Sequence, residues 1–228
     1  MIGDSMSDLE KLVVLSFDEV YISHDICFDK AAQQVLGPHK TVQVVMARGL
    51  CKSWKQPIFY SYDTPMTKDI LNEIITKLLL ISGFLVVAVV SDMGTTNMGM
   101  WKSMGISYTN SSFKHPSLDR NIHVLADVPH LIKLIRNNYL DHGFVFLYGI
   151  GEKFIGKNIF QSLLMAQGKS EMRFTYKVTD HHLNVRGAQR QKVKTAVQLF
   201  SRTVSKAIQY YADKNLAKPL HKFTTNGR

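Results

Sequence analysis

The chain has 228 residues, 45% of them hydrophobic, which is enough for one sizeable core or two small ones and excludes a disordered segment. Two cysteines, Cys27 and Cys51, exclude a disulfide framework and read as small buried residues of a reducing cytosol or nucleus, while apolar runs that stop short of a span, and no signal-peptide pattern, exclude a membrane role. The formal charge of +10 is unevenly held: residues 1–149 carry 13 Lys/Arg against 14 Asp/Glu and residues 150–228 carry 15 against 4, so the last third is expected to face phosphate groups.

In chain order, Leu12 to Tyr21 predicts a buried strand interrupted by the acidic pair Asp18-Glu19. Thr41 to Arg48, stopped by Gly49, and Pro57 to Tyr62 predict two more strands, joined by a loop that holds Trp54 between Lys52 and Lys55. Three strands this close together suggest an antiparallel meander. Ile70, Leu71, Ile74, Ile75, Leu78 and Ile81 then fall at helical spacing, with Thr64 as the expected N-cap, Pro65 at the first helical position and Gly83 as the stop. Phe84 to Val90 reads as a central strand ending in Ser91-Asp92-Met93-Gly94. A short helix near Met98 to Met104 and a strand at Ile122 to Ala126 follow, and Asp127 reads as the N-cap of a helix from Pro129 to about Leu140. That helix carries Leu131, Ile132 and Ile135 on one side and Lys133 and Arg136 on the other. Beyond Gly143 the pattern is mostly helical, near Ile155 to Gln167 and Gln191 to Ala212, the latter with Val193, Val197, Phe200, Val204, Ile208 and Tyr211 on a core stripe.

If the strands carrying Asp18 and Asp92 are neighbours, their carboxylates meet at one point. Two hard oxygen ligands suit Mg²⁺ or Mn²⁺, and a pair of such ions about 3.5 to 4 Å apart serves phosphodiester cleavage or strand transfer. Side-chain alternation sends Asp18 and Glu19 to opposite faces, so at most one is expected to be a ligand, and the pattern does not say which. His181-His182 invites a zinc reading, but adjacent histidines diverge and no CxxC accompanies them. Gly94-Thr95-Thr96-Asn97 is too short for a phosphate loop and reads as a turn into a helix.

Five strings resemble the P-element transposase family, which includes the vertebrate THAP-domain transposase-like proteins. They are LSFDEV at 15–20, VQVVMARGLCKSWKQPIFY at 42–60, VVAVVSDMGTTN at 86–97, ADVPHLIKLIRNNYLDHG at 126–143 and HLNVRGAQRQKVKTAVQLFS at 182–201, in the family's order. The resemblance implies an α/β, ribonuclease-H-like mixed sheet flanked by helices, with an Asp-Asp-Glu triad that cuts and joins DNA using Mg²⁺ or Mn²⁺. Asp18 within SFDEV matches the first catalytic aspartate and Asp92 within VVSDMG the second. The family's glutamate lies beyond a large insertion, and the chain is expected to end inside that insertion, incomplete for catalysis. The insertion is expected to be helical and to bind GTP, and by position Lys177, Lys192, Val193 and Ser201 are similar to residues that contact the nucleotide. The zinc-coordinating THAP domain has no counterpart in the sequence, so recognition of particular DNA ends is not expected.

The expected organisation is therefore residues 8–143 as most of a ribonuclease-H-like catalytic core and 144–228 as the start of the GTP-binding insertion. DNA is the expected partner, the nucleus the expected location, and the family's full-length proteins admit oligomers. The expected function is that of a transposase fragment inactive by itself. The alternative is a domesticated, non-catalytic module that holds nucleic acid or guanine nucleotide.

Overall fold

The computed structural model describes residues 6–148, 151–168 and 173–214. Its Cα packing divides the chain into two compact units, Met1–Asp127 and Val128–Arg228. The division falls earlier than the boundary at 143 expected from the sequence, because the helix after Asp127 packs with the elements that follow it.

The first unit contains β1 (Leu12–Tyr21), a small hairpin of β2 (Cys27–Asp29) and β3 (Gln34–Leu36), β4 (Thr41–Gly49), β5 (Lys55–Tyr62), α1 (Lys68–Ser82), β6 (Leu85–Ser91), α2 (Thr95–Ser103), β7 (Ser112–Lys114) and β8 (Asn121–Ala126). Six strands form one mixed sheet in the order β5-β4-β1-β6-β8-β7. The expected meander is present, since β1 pairs antiparallel with β4 and β4 with β5. The chain then crosses through α1 so that β6 lies parallel to β1, and a second crossover lays β8 parallel to β6.

Period two along β1 decides which face makes the core. Val13, Leu15 and Phe17 are buried together with Val45, Val86 and Val89 from neighbouring strands and with Leu71, Ile74 and Ile75 of α1 and Met100 and Trp101 of α2. On the other face Val14 and Ser16 are half-buried and Asp18 is exposed.

The true N-cap of α1 is Thr67, whose Oγ1 accepts from the Ile70 N–H at 3.3 Å; Thr64 instead donates to the Tyr62 carbonyl at 2.9 Å, and Pro65 precedes the helix. Gly83 ends the helix at φ 68°, a left-handed conformation that costs glycine little, and its N–H returns to the Leu79 carbonyl. Trp54 packs on Phe84 with ring centroids 5.0 Å apart, and a Cβ at Gly49 would overlap that indole and the Lys52 carbonyl. Cys27 and Cys51 are exposed and unpaired, not buried as expected, because both lie outside the sheet's core positions, in the small hairpin and in the loop after β4.

The second unit holds α3 (Val128–His142), a hairpin of β9 (Phe144–Tyr148) and β10 (Gly151–Ile155), α4 (Asn158–Gly168), α5 (Val193–Leu199) and α6 (Arg202–Asp213). Ile155 closes this hairpin, so the helix expected from Ile155 begins only at Asn158. The helix expected over 191–212 is two helices, because Ser201 takes an extended conformation and its Oγ accepts from the Val204 N–H. Val204 and Tyr211 are buried as the stripe predicts, but Val197 turns outward while Ala196 and Leu199 go in.

Helix α3 buries the side expected to face solvent. Arg136 is fully buried and donates to Asn137 Oδ1 (2.7 Å), Thr195 Oγ1 (3.0 Å) and the Arg190 carbonyl (2.7 Å). Lys133 reaches Gln191 Oε1 at 3.3 Å, while Leu134 and Ile135 are exposed. Neutral oxygens brought from the segment after residue 187 replace water around these cations, which is what makes their burial tolerable. Beside them Tyr139 donates its hydroxyl to the Gly156 carbonyl at 2.6 Å, and burial pushes that phenol up to about 12. Among the described residues no helix is long and apolar enough to cross a membrane.

Candidate carboxylate site and basic pocket

The parallel register of β1 and β6 pairs Phe17 with Ser91, so Asp18 and Asp92 each follow the last paired residue on neighbouring strands. Strands in a sheet lie about 4.8 Å apart, which sets the scale of the gap their side chains face. Both line one cavity of about 210 Å³, together with Glu19, Tyr21, Gln43, Pro65, Met66, Gly94, Thr96 and Asn97. Glu19 therefore lines this cavity as well, rather than lying away from it.

Each aspartate keeps one oxygen engaged. Asp92 Oδ1 accepts from the Gly94 N–H at 3.0 Å and from Asn97 Nδ2 at 2.6 Å, which fixes the carboxylate against the start of α2. A Cβ at Gly94 would stand 3.1 Å from that oxygen, so glycine permits the close approach of the amide. Asp18 Oδ1 accepts from the Glu19 N–H at 2.9 Å. Among the described residues the Oδ2 atoms of both have no hydrogen-bond partner.

Behind Asp92 the strand end is anchored by Ser91, which is buried; its Oγ accepts from Trp101 Nε1 at 3.0 Å and donates to the Asp92 carbonyl at 3.0 Å. Trp101 in turn packs near Phe17 and Phe113, with centroids 6.0 and 6.4 Å away. Asn97, Ser91 and Gln43 are absent from the sequence-based set. The spacing Asp92-x-Gly94 hints at a turn carboxylate, but no pattern marks Asn97 or Gln43. Among the described residues no group of three or more His, Cys, Asp or Glu side chains is placed to hold a metal. His181-His182 lies in a short 3-10 turn, where His182 is buried between Thr179 and Gln198 in a structural role.

The second unit has an open cavity of about 540 Å³ lined by residues 174–178 and by Lys194, Val197, Gln198, Ser201, Thr203 and Val204. A volume in this range suits a ligand larger than a phosphate group. Of the four residues suggested for nucleotide contact, Lys177 and Ser201 line it. Lys192 stands exposed between a 3-10 turn and α5, and Val193 opens α5 half-buried; neither belongs to the lining. Lys194 supplies the second cation there, a residue that positional matching passes over. Ser201 stands at the N-terminus of α6, where backbone N–H groups and the helix dipole favour an anion. Gln198 is held through Oε1 by His182 Nε2 at 3.0 Å.

Residues 2–105 match the family model described as TNP-like, RNase H N-terminal domain, and residues 129–225 the model described as TNP-like, GTP-binding insertion domain. The chain is 43% identical over 210 residues to the transposable element P transposase of Drosophila melanogaster, covering 92% of this chain and 27% of that protein. It is 29% identical over 179 residues to human DNA transposase THAP9, covering 73% of this chain and 19% of that protein. The chain thus spans about a quarter or less of the length of these relatives. Among solved structures it superposes on the Drosophila P element transposase strand transfer complex with a TM-score of 0.85 and 40% identity, over 98% of this chain and 51% of that one.

Proposed function

This chain belongs to the P-element-type transposase family, with an RNase H-like sheet in its first unit and the family's insertion domain in its second, and from that premise we propose that it is a portion of a DNA transposase. In this reading Asp18 and Asp92 hold Mg²⁺ or Mn²⁺ beside a DNA phosphodiester. The observation that carries it is the meeting of two carboxylates from neighbouring strands in one cavity, each with a free Oδ2 among the described residues. Hard anionic oxygens are the donors such cations take, so the residues fit the group. Bound there, a divalent cation neutralises charge on the phosphoryl oxygens and lowers the pKa of an attacking water or sugar hydroxyl. The chain's own residues supply placement: Asn97 and the Gly94 amide fix the Asp92 carboxylate, and Ser91 and Trp101 anchor the strand end from which it projects.

In the second unit Lys177, Lys194 and Ser201 supply charge and hydrogen-bond donors for the phosphates of a guanine nucleotide, with Lys192 and Val193 flanking the cavity in sequence. The excess of positive charge in the last third of the chain supports DNA as the partner and the nucleus as the location. That same charge also favours a second reading, a module that holds DNA or nucleotide without catalysis. Calorimetric titration with Mn²⁺ tests the first reading: wild type should bind and Asp18→Asn and Asp92→Asn should each weaken binding at least tenfold. Equal binding by all three proteins would remove the metal site and leave the second reading.

A further inference from the structure

Gln43 of β4 faces the carboxylate cavity from the strand next to β1, directly opposite Glu19 in the antiparallel register. It is only 4% exposed, and its Nε2 makes no hydrogen bond to any described residue. A buried amide N–H without a partner is uncommon in folded proteins, where nine in ten or more such groups are satisfied. A residue whose only task was to fill space at this position would be served by Leu or Met with no polar atom to desolvate. The rest of the cavity sharpens the question of what the amide waits for. Asp18, Glu19 and Asp92 contribute acceptors, and the Asp92 carboxylate is already held by Asn97 and Gly94. Gln43 is thus a spare donor in a cavity whose carboxylates draw in cations. A cavity of about 210 Å³ is small for a nucleoside and ample for a phosphate group with a few waters.

We propose that Gln43 is a substrate-contacting residue whose carboxamide N–H donates to a non-bridging phosphate oxygen of the phosphodiester held beside Asp18 and Asp92. This assignment rests on the carboxylate reading above. Gln43 then places the phosphate from the β4 side, and Asp18 and Asp92, which would hold the cations, line the same cavity from β1 and from the segment after β6. No bond is made or broken by the amide; it orients the group and compensates part of its negative charge.

The test compares the 228-residue wild type, Gln43→Leu and Asp92→Asn in three measurements: Mn²⁺ binding by calorimetry, binding of thymidylyl-thymidine in saturating Mg²⁺ followed by ³¹P NMR, and thermal melting by circular dichroism. The dinucleotide offers a single phosphodiester, so its binding reports on one phosphate site. Gln43→Leu should bind Mn²⁺ within twofold of wild type, melt at the same temperature or slightly higher because an unsatisfied donor is gone, and bind the dinucleotide about tenfold more weakly. Wild-type affinity for the dinucleotide in Gln43→Leu, no measurable binding of it by wild type, or a melting point lowered by several degrees would each overturn the assignment, the last by showing a structural role. Asp92→Asn separates the two claims. If it loses Mn²⁺ while Gln43→Leu keeps the dinucleotide, the carboxylate site stands and Gln43 falls; if it binds Mn²⁺ like wild type, the carboxylate reading itself fails.

Discussion

Replacing Ser201 by alanine distinguishes a broken helix from a continuous one by the sign of its effect. In an unbroken helix over 191–212 Ser201 would be an interior residue, and alanine, the better helix former, would stabilise the unit by about 0.5 kcal/mol. In the structure Ser201 is the N-cap of α6, with its Oγ accepting from the Val204 N–H, and loss of an N-cap costs about 0.5–2 kcal/mol. The contact is long, 3.4 Å, so the lower half of that range applies, about 0.5–1 kcal/mol. For a unit of this size a change of 1 kcal/mol shifts the melting temperature by about 4–8 °C, so the variant should melt about 2–8 °C lower. Thermal unfolding followed by circular dichroism reads this directly, with Ser201→Thr as a control that keeps a capping hydroxyl and should recover most of the loss. Binding of a fluorescent guanine nucleotide, measured on the same proteins well below the transition, should be weaker in Ser201→Ala and retained in Ser201→Thr. A melting point equal to or above wild type for Ser201→Ala would refute both the helix break and the capping argument.

Three further outcomes follow from particular residues. Asp63 accepts from the Thr41 amide, His39 Nδ1 and the Lys40 amide, which hold its carboxyl at about 2 against an ordinary 3.8. Its folded-state value is depressed, so its contribution is present above the ordinary value and is lost as pH falls from about 4 towards 2; an acid titration in which Asp63→Asn shows the same loss over that window as wild type would contradict this. Gly49→Ala sets a Cβ against the Trp54 indole and the Lys52 carbonyl, and should destabilise the first unit by about 1–3 kcal/mol in urea unfolding, the usual range for overpacking. Given DNA and Mg²⁺ or Mn²⁺, the 228-residue chain should show no cleavage above background, since its described residues gather no set of three ligating side chains; metal-dependent cutting that disappears in Asp92→Ala would show that the set is complete after all.

Much of the first unit is legible in the sequence because its signals are local. β1 and β6 are near-continuous apolar runs, α1 has six aliphatic residues at helical spacing, and Asp18 within the first run and Asp92 just after the second are acids that can be noticed without knowing the fold. In the second unit the same rules mislead in identifiable places. The stripe from Val193 to Tyr211 keeps its period across Ser201, so periodicity cannot see that one residue turns extended and starts a new helix. Helix α3 has the apolar and basic sides of a surface helix, yet it buries Arg136 and Lys133.

By itself, then, the sequence determined the long strands β1, β4, β5, β6 and β8 and the helices of the sheet unit, though not the short β2, β3 and β7, placed one aspartate within a strand and one just after another, and marked which third of the chain carries the positive charge. Tertiary structure decided what those residues meet. Parallel pairing of β1 with β6 brings Asp18 and Asp92 to one cavity, and antiparallel pairing with β4 sets Gln43 opposite Glu19. Arg136 can be buried only because Thr195 and the Arg190 carbonyl, 59 and 54 residues further on, arrive to accept its hydrogen bonds. Periodicity reports the average environment of one element at a time. A strand register, or a buried cation's set of acceptors, depends on groups from distant segments, whose desolvation is compensated only once those segments have come together.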